Sequence, residues 1–479
     1  MKRIKSLIQL APVILLLVLF LMACRTQKQE VEKKLPNIIY ILADDLGIGD
    51  LSCYGQQMFT TPNIDKLAEE GIRFTQHYSG STVCAPSRSV LMTGQHTGHT
   101  PIRGNKRVPL PDSTVTIAEM LKEAGYVTGI FGKWGLGLLH GDGPDKGYPI
   151  NQGFDVFVGY DDQGLAHRYY PQNIRYNDSI IPLAGNDHIR QVTYAPDIIQ
   201  QRALEFIEDN TTSPFFLYYA TIIPHAELIV PEDSIIRKFE GRFEEIPYQG
   251  EDYGVENFNP AGYCSQIQPR AVFAAMVTRL DMYVGQIIQV LNDHKLLDNT
   301  IIMFASDNGT HLEGGHDPLY FNSSGGLRGH KRDLFEGGIR SPFMVFWPGT
   351  INPGRISDHI SAFEDFMPTV AEIIGIPCPE NIDGISFLPT LLDMGEQPEH
   401  DYLYWEFHEQ NGKQAVRKGK WKAVRLNVRE NPDGPVLLFD LEDDPGEEND
   451  ISSEHPEIVQ EMAKLMSLSR VDNPDFTFD

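Results

Sequence analysis

Two kinds of hydrophobic pattern alternate along most of the chain. Residues 36–43 (PNIIYILA) form an unbroken apolar, β-branched run, which predicts a buried central strand. Thr61-Pro62 then offers a helix cap with proline in the first turn, and Ile64, Leu67 and Ala68 follow at helical spacing. Strand-like runs recur at 126–131, 215–223, 300–305 and 343–347. Between them, Phe273, Met276, Val277, Leu280, Val284, Ile287, Ile288 and Leu291 mark one face of a helix. Strands alternating with helices predict an α/β fold with a large, mainly parallel sheet flanked by helices. Near residue 392 the style changes. Short runs at 402–407, 414–416, 421–425 and 437–441, separated by polar turns, predict a smaller C-terminal α+β domain of antiparallel strands, closed by a helix over 456–468. The expected division is residues 36–391 and 392–479.

The N-terminus stands outside this pattern. Lys2, Arg3 and Lys5 precede an apolar run over 13–22, too short for a membrane span and suited to a signal peptide over residues 1–23. It ends in Leu21-Met22-Ala23-Cys24, which resembles a bacterial lipobox, with Cys24 as the lipidated first residue of the mature chain. Residues 24–35 then read as a polar tether. The expectation is an exported lipoprotein in the periplasm or outer membrane, held by its lipid anchor alone.

Removing the three leader cations takes the formal net charge from −26 to −29. Such a chain should not bind nucleic acid. To hold an anionic ligand it must concentrate positive charge locally, through a metal and a few basic side chains. Of the five cysteines, Cys24 belongs to the anchor and Cys84 to a motif described next. Cys53, Cys264 and Cys378 allow at most one disulfide, so no disulfide framework organises the fold.

Cys84-Ala85-Pro86-Ser87-Arg88 is followed by Ser89-Val90-Leu91-Met92-Thr93-Gly94. Pro86 suits a first helical turn, which places Cys84 where free backbone N–H groups attract anions. Two acidic pairs fall at predicted strand ends: Asp44-Asp45 and, within Ser306-Asp307-Asn308-Gly309, Asp307-Asn308. Three carboxylates and an amide oxygen make an all-oxygen donor set for a hard cation, although each pair alone could cap a helix or turn.

Together these segments resemble the sulfatase signature of the alkaline-phosphatase superfamily. The resemblance implies that Cys84 is oxidised by a maturation enzyme to formylglycine. The hydrated aldehyde then attacks sulfur with one oxygen and expels sulfate with the other. It implies a divalent cation, calcium or alternatively magnesium, on Asp44, Asp45, Asp307, Asn308 and residue 84. Lys133 in Gly132-Lys133-Trp134 and Lys331 in Arg328-Gly329-His330-Lys331 match lysines that hold sulfate. His225 in Pro224-His225 matches an acid for the leaving alcohol, and Arg88 would hold the formylglycine. One position departs from the pattern. Many members carry histidine two residues after the first lysine, where this chain has Gly135. His140 could reach back to replace it, and His311, just after the second acidic pair, is a better-placed pocket candidate.

The substrate signal is softer. Residues 153–155 and 166–171 (AHRYYP) resemble segments of carbohydrate sulfatases, with His167 and Arg168 as contacts to sugar hydroxyls or a second anionic group. Alternatively, Tyr169 and Tyr170 pack a loop and Arg168 pairs with an acid. Sulfated carbohydrates or aryl sulfates are the expected substrates. The competing readings are a phosphodiesterase or phosphonate hydrolase of the same superfamily, and a non-catalytic glycan-binding lipoprotein.

Overall fold

Asn37–Ala43 are all buried and form β1, in the middle of the main sheet. The structure, a computed structural model, describes residues 34–478 apart from 141–142, 188, 256–258 and 260–261. Cys24, with the leader and nearly all of the tether, lies outside the described residues, as does the side chain of His140.

After β1 the chain forms β2 (Ile72–Tyr78), β3 (Val127–Lys133), a small ribbon of β4 (Leu139–His140) and β5 (Gly143–Pro144), and β6 (Val156–Tyr160). Next come β7 (Asn173–Tyr176), β8 (Ser179–Pro182), β9 (Phe215–Ala220), β10 (Thr300–Ser306) and β11 (Arg340–Phe346). Two short strands, β12 (Arg355–Ser357) and β13 (Ser361–Ala362), follow. The main sheet runs β12-β2-β11-β10-β1-β9-β3-β6-β7-β8, with β13 also paired to β2. Its centre, β10-β1-β9-β3-β6, is parallel, as the alternating pattern predicts. The strand expected at 343–347 is present but starts at Arg340 and runs antiparallel to β10.

Side chains alternate across this sheet. Ile39, Ile41 and Ala43 share a core with the 25-residue helix Pro269–Asp293. Tyr40 points the other way, its ring 4.5 Å from that of Phe366 at the start of the helix Phe366–Ile374. The Pro269–Asp293 helix is long and apolar enough to cross a membrane, but its apolar face is spent on the sheet. It is a core helix.

Register decides what sits at the sheet's edge. Ala43 pairs with Ser306, Leu42 with Ala220, and Ala220 with Gly132. The residues that leave these strands, Asp44, Asp307, Thr221 and Lys133, therefore emerge side by side. Parallel sheets bind ligands at this carboxyl edge.

The C-terminal sheet, β14 (Leu403–Phe407), β15 (Lys413–Lys418), β16 (Trp421–Leu426) and β17 (Val436–Asp440), is antiparallel throughout. The helix Pro456–Leu468, with bounds as predicted, covers one face through Met462 and Met466. The other face packs Leu403, Trp405 and Val424 on Tyr78, Val83 and Leu334 of the main body.

Gly132 shows how tightly the edge is built. Its φ is +122°, and a β-carbon there would lie 1.8 Å from the Ala220 carbonyl oxygen. Gly132→Ala should destabilise the fold by more than about 3 kcal/mol, through both backbone strain and overlap. Thermal unfolding of that variant within a degree of the parent would refute this account of the edge.

Candidate functional site

The helix Cys84–Thr93 begins where the acidic pairs converge. Val83 is extended before it, Gly94 turns left-handed after it, and all ten helical residues are buried. Cys84 Sγ lies 3.2 Å from Asp44 Oδ1 and 3.9 Å from Asp45 Oδ1. Asp44, Asp45, Asp307 and Asn308 have no solvent exposure. Asp45 adopts φ +63°, which aspartate tolerates better than most residues, and its N–H donates to Asp307 Oδ1 at 3.0 Å. Asn308 Nδ2 donates to Asp45 Oδ1 at 2.7 Å.

Three cations answer the three carboxylates. Arg88 donates from Nε and Nη2 to Asp307 Oδ2, at 3.1 and 2.8 Å, and from Nη1 to the Lys133 carbonyl. Lys133 Nζ sits 2.7 Å from Asp44 Oδ2. Lys331 Nζ sits 2.7 Å from Asp45 Oδ2 and 3.0 Å from His225 Nε2. Burial alone would raise Asp44 and Asp45. Lys133, His225 and Arg88 outweigh it for Asp44, and Lys331, His225 and His311 for Asp45, so both carboxyls fall well below their usual range. Asp307 behaves differently: burial and then Asp44 push it up to about 7, despite Arg88. Burial would lower both lysines, yet Asp44 holds Lys133 up and Asp45 holds Lys331 up, so both stay charged. The Cys84 thiol is raised by burial, then by Asp307 and Asp44, so as cysteine it stays a neutral thiol.

His225 is oriented from both sides. Its Nδ1 contacts the Ala226 carbonyl, which leaves Nε2 facing Lys331 and, at 3.3 Å, Asp45. Burial and Lys331 lower its pKa, so it is neutral here. With Nε2 receiving from the ammonium, Nδ1 is the nitrogen that carries the proton.

The other predicted residues fare unevenly. His167 stacks on His225 with ring centroids 4.8 Å apart, and Tyr263 lies beside both. His311 reaches the cluster 5.9 Å from the His225 ring, but its Nε2 faces the Pro224 carbonyl and its Nδ1 accepts from Glu313 N–H. It braces the segment that carries His225. Arg168 sits as in the alternative given for it, paired with an acid. It is buried and paired with Glu227 at 2.5 Å, and it donates to the Glu251 and Asn259 carbonyls. The residue holds loops together rather than presenting charge to a ligand. Glu313 is a group that the sequence pattern did not single out. It lies 3.8 Å from Lys331 Nζ, and Lys331, then His311, lower it to about 2 against its burial. Its place two residues beyond His311 was the available signal.

Gly135 also has a physical reason. With φ +82° the backbone is left-handed, and a β-carbon would come within 3.0 Å of the Gln163 side chain. Gln163 and Gly135 line a cavity of about 300 Å³ that reaches Ala85, the neighbour of Cys84.

The donor set fits a hard divalent cation. Asp44, Asp45, Cys84 and His225 place ligand atoms within 4.8 Å of one another. Asn308 Oδ1 is buried without a hydrogen-bond partner, a loss that a coordinated cation would repair. No disulfide links Cys53, Cys84, Cys264 or Cys378, so residue 84 is a separate chemical group.

Residues 36–376 match the family profile described as Sulfatase, and residues 329–472 match the one described as N-sulphoglucosamine sulphohydrolase, C-terminal. The chain is 32% identical to arylsulfatase A of Homo sapiens, over 90% of this chain and 87% of that protein. It is 31% identical to N-acetylgalactosamine-6-O-sulfatase of Bacteroides thetaiotaomicron, over 97% and 99%. The solved structure of Ps i-CgsB in complex with k-i-k-neocarrahexaose superposes with a TM-score of 0.76 at 27% identity, covering 93% of this chain and 95% of that one.

A ligand that binds only the folded state raises its unfolding temperature. Saturating calcium or magnesium should raise the unfolding temperature of this chain by about 3 °C or more, and that of Asn308→Ala by much less. Equal behaviour of the two chains would rule out Asn308 as a cation ligand.

Proposed function

The chain belongs to the sulfatase family and hydrolyses sulfate esters, and we propose that its substrates are sulfated glycans and that a formylglycine made from Cys84 carries the reaction. One observation carries this reading: residue 84 begins a buried helix and meets, in a single buried cluster, the four oxygen donors, two charged lysines and a histidine. The names of two similar proteins, an N-acetylgalactosamine-6-O-sulfatase and a protein solved with a neocarrahexaose, support the glycan class.

The division of labour follows from the contacts. A hydrated formylglycine supplies the attacking hydroxyl, and its second hydroxyl later helps to expel sulfate. A calcium or magnesium ion on Asp44, Asp45, Asp307 and Asn308 would supply Lewis acidity towards a sulfate oxygen. Lys133 and Lys331 hold two fixed positive charges that bind and orient the sulfate group. Arg88, locked on Asp307, keeps the acidic cluster neutralised from behind. His225 presents Nε2 to the pocket with Lys331 as its neighbouring donor. Nε2 can relay a proton, taking one from the Lys331 ammonium as the departing sugar oxygen accepts one from it. His167 and Tyr263 extend the wall beside it and offer flat surfaces to a sugar ring. Lipidation at Cys24 would keep the enzyme at a membrane surface on the exported side, within reach of polymeric glycans.

Cys84→Ala removes the nucleophile and leaves the packing almost unchanged. Release of sulfate from a sulfated sugar should fall at least about a thousandfold, with unfolding within about 2 °C of the parent. Normal turnover by that variant would overturn the mechanism. Hydrolysis of the matched phosphate ester at a rate equal to the sulfate ester would overturn the preference for sulfate.

A further inference from the structure

The C-terminal sheet holds a charge that the catalytic centre does not use. Arg425 lies on β16 and is only 6% exposed. Most buried arginines elsewhere face carboxylates, as Arg88 faces Asp307, Arg103 faces Glu406 and Arg168 faces Glu227, whereas buried Arg417 donates to Tyr78 and Gln76. Arg425 has no such partner among the described residues. Among the described residues its side chain makes one long hydrogen bond, 3.4 Å from Nη1 to Gln414 Oε1, and its buried Nε donates to nothing. Burial lowers the pKa of this guanidinium, and the nearby Asp433 offsets only part of that effect. A buried charge that is only partly compensated is costly and persists where something else requires it.

Beside it lies a cavity of about 640 Å³, within the range of small-molecule sites. Gln414 and Arg425 form polar lining on the strands, and Ser467 comes from the end of the Pro456–Leu468 helix. The tail contributes Arg470, Pro474 and Phe478. Arg470 is already matched by Glu406 at 2.9 Å and also lies over the Phe478 ring. Asp433 and Asp472 also border the cavity, but both are exposed, where water and salt weaken their repulsion of an anion. No residue of this cavity belongs to the cluster around residue 84.

We propose that this cavity is a second binding site, for an anionic sugar residue of the glycan, with Arg425 receiving its sulfate or carboxylate. The guanidinium fork matches two oxyanion oxygens, and Gln414 and Ser467 can bond sugar hydroxyls. Phe478 and the prolines offer flat apolar surface to the C–H face of a pyranose ring. The site rests on the glycan reading above, since it adds affinity for chains that carry several anionic groups. It would hold a polymer against the enzyme while residue 84 works on another unit, by raising the local concentration of substrate.

The test uses the full chain with Cys84→Ala, which binds without turnover, and a 6-sulfated chondroitin hexasaccharide followed by calorimetry. Adding Arg425→Gln should abolish one binding site or weaken it at least about tenfold. Ser467→Glu, at an exposed helix end, should do the same by setting a carboxylate opposite Arg425, and it keeps the test decisive if Arg425→Gln fails to fold. The desulfated hexasaccharide separates sulfate from carboxylate recognition. In chains with Cys84 intact, both substitutions should leave turnover of a small aryl sulfate unchanged. Identical hexasaccharide binding in all the folded chains overturns the second site. Failure of the intact enzyme to desulfate any glycan, with aryl sulfate still cleaved, instead overturns the glycan reading.

Discussion

The structure depends on one buried balance of charge. Asp44, Asp45 and Asp307 sit without solvent at the carboxyl edge of the sheet, and Arg88, Lys133 and Lys331 sit against them. Removing one partner from such a cluster leaves its opposite charge stranded, at a cost of about 3–5 kcal/mol. The array is therefore poor ballast for stability and good preorganisation for an anion. Its cations are held in place before a sulfate arrives, and its acids are ready for a divalent ion.

Register and close backbone packing hold the array. Pairing of Ala43 with Ser306 delivers both acidic pairs to one place. The loop with Lys331 is drawn against the loop with Asp307 by Lys331 N–H to the Thr310 carbonyl, at 2.7 Å, and Gly309 N–H to the Gly338 carbonyl, at 3.0 Å. A β-carbon on Gly309 would lie 1.9 Å from the Gly337 carbonyl oxygen, so these loops meet as bare backbone. The C-terminal sheet braces the same segment. Buried Lys422 pairs with Glu336 at 2.9 Å, and Glu336 also accepts from Tyr78 at 2.7 Å. The second sheet thus supports the segment that carries Lys331 as well as covering the core.

Much of this was legible in the sequence, for physical reasons that can be named. The run at 36–43 is apolar on both faces because helices cover both faces, and only a central strand reads that way. The acidic pairs announced themselves by following such runs, and the segment from Cys84 to Gly94 was specific enough to identify the family. Other features carry no local signal. The partner of Arg168 lies 59 positions away at Glu227, so only the fold shows that the arginine is structural. The direction of β11 is invisible to hydrophobic periodicity, which is the same for either orientation. His311 lies beside His225, and the occupancy of both its nitrogens depends on Pro224 and the backbone of Glu313.

The central claim is that an oxidised residue 84 is the reacting group. Mass spectrometry of the peptide containing position 84, taken from enzyme of known specific activity, tests it most directly. The account predicts a species lighter than the cysteine peptide, trapped by an aldehyde reagent, whose fraction tracks activity from one preparation to the next. Fully active enzyme carrying only unmodified cysteine at position 84 would contradict it.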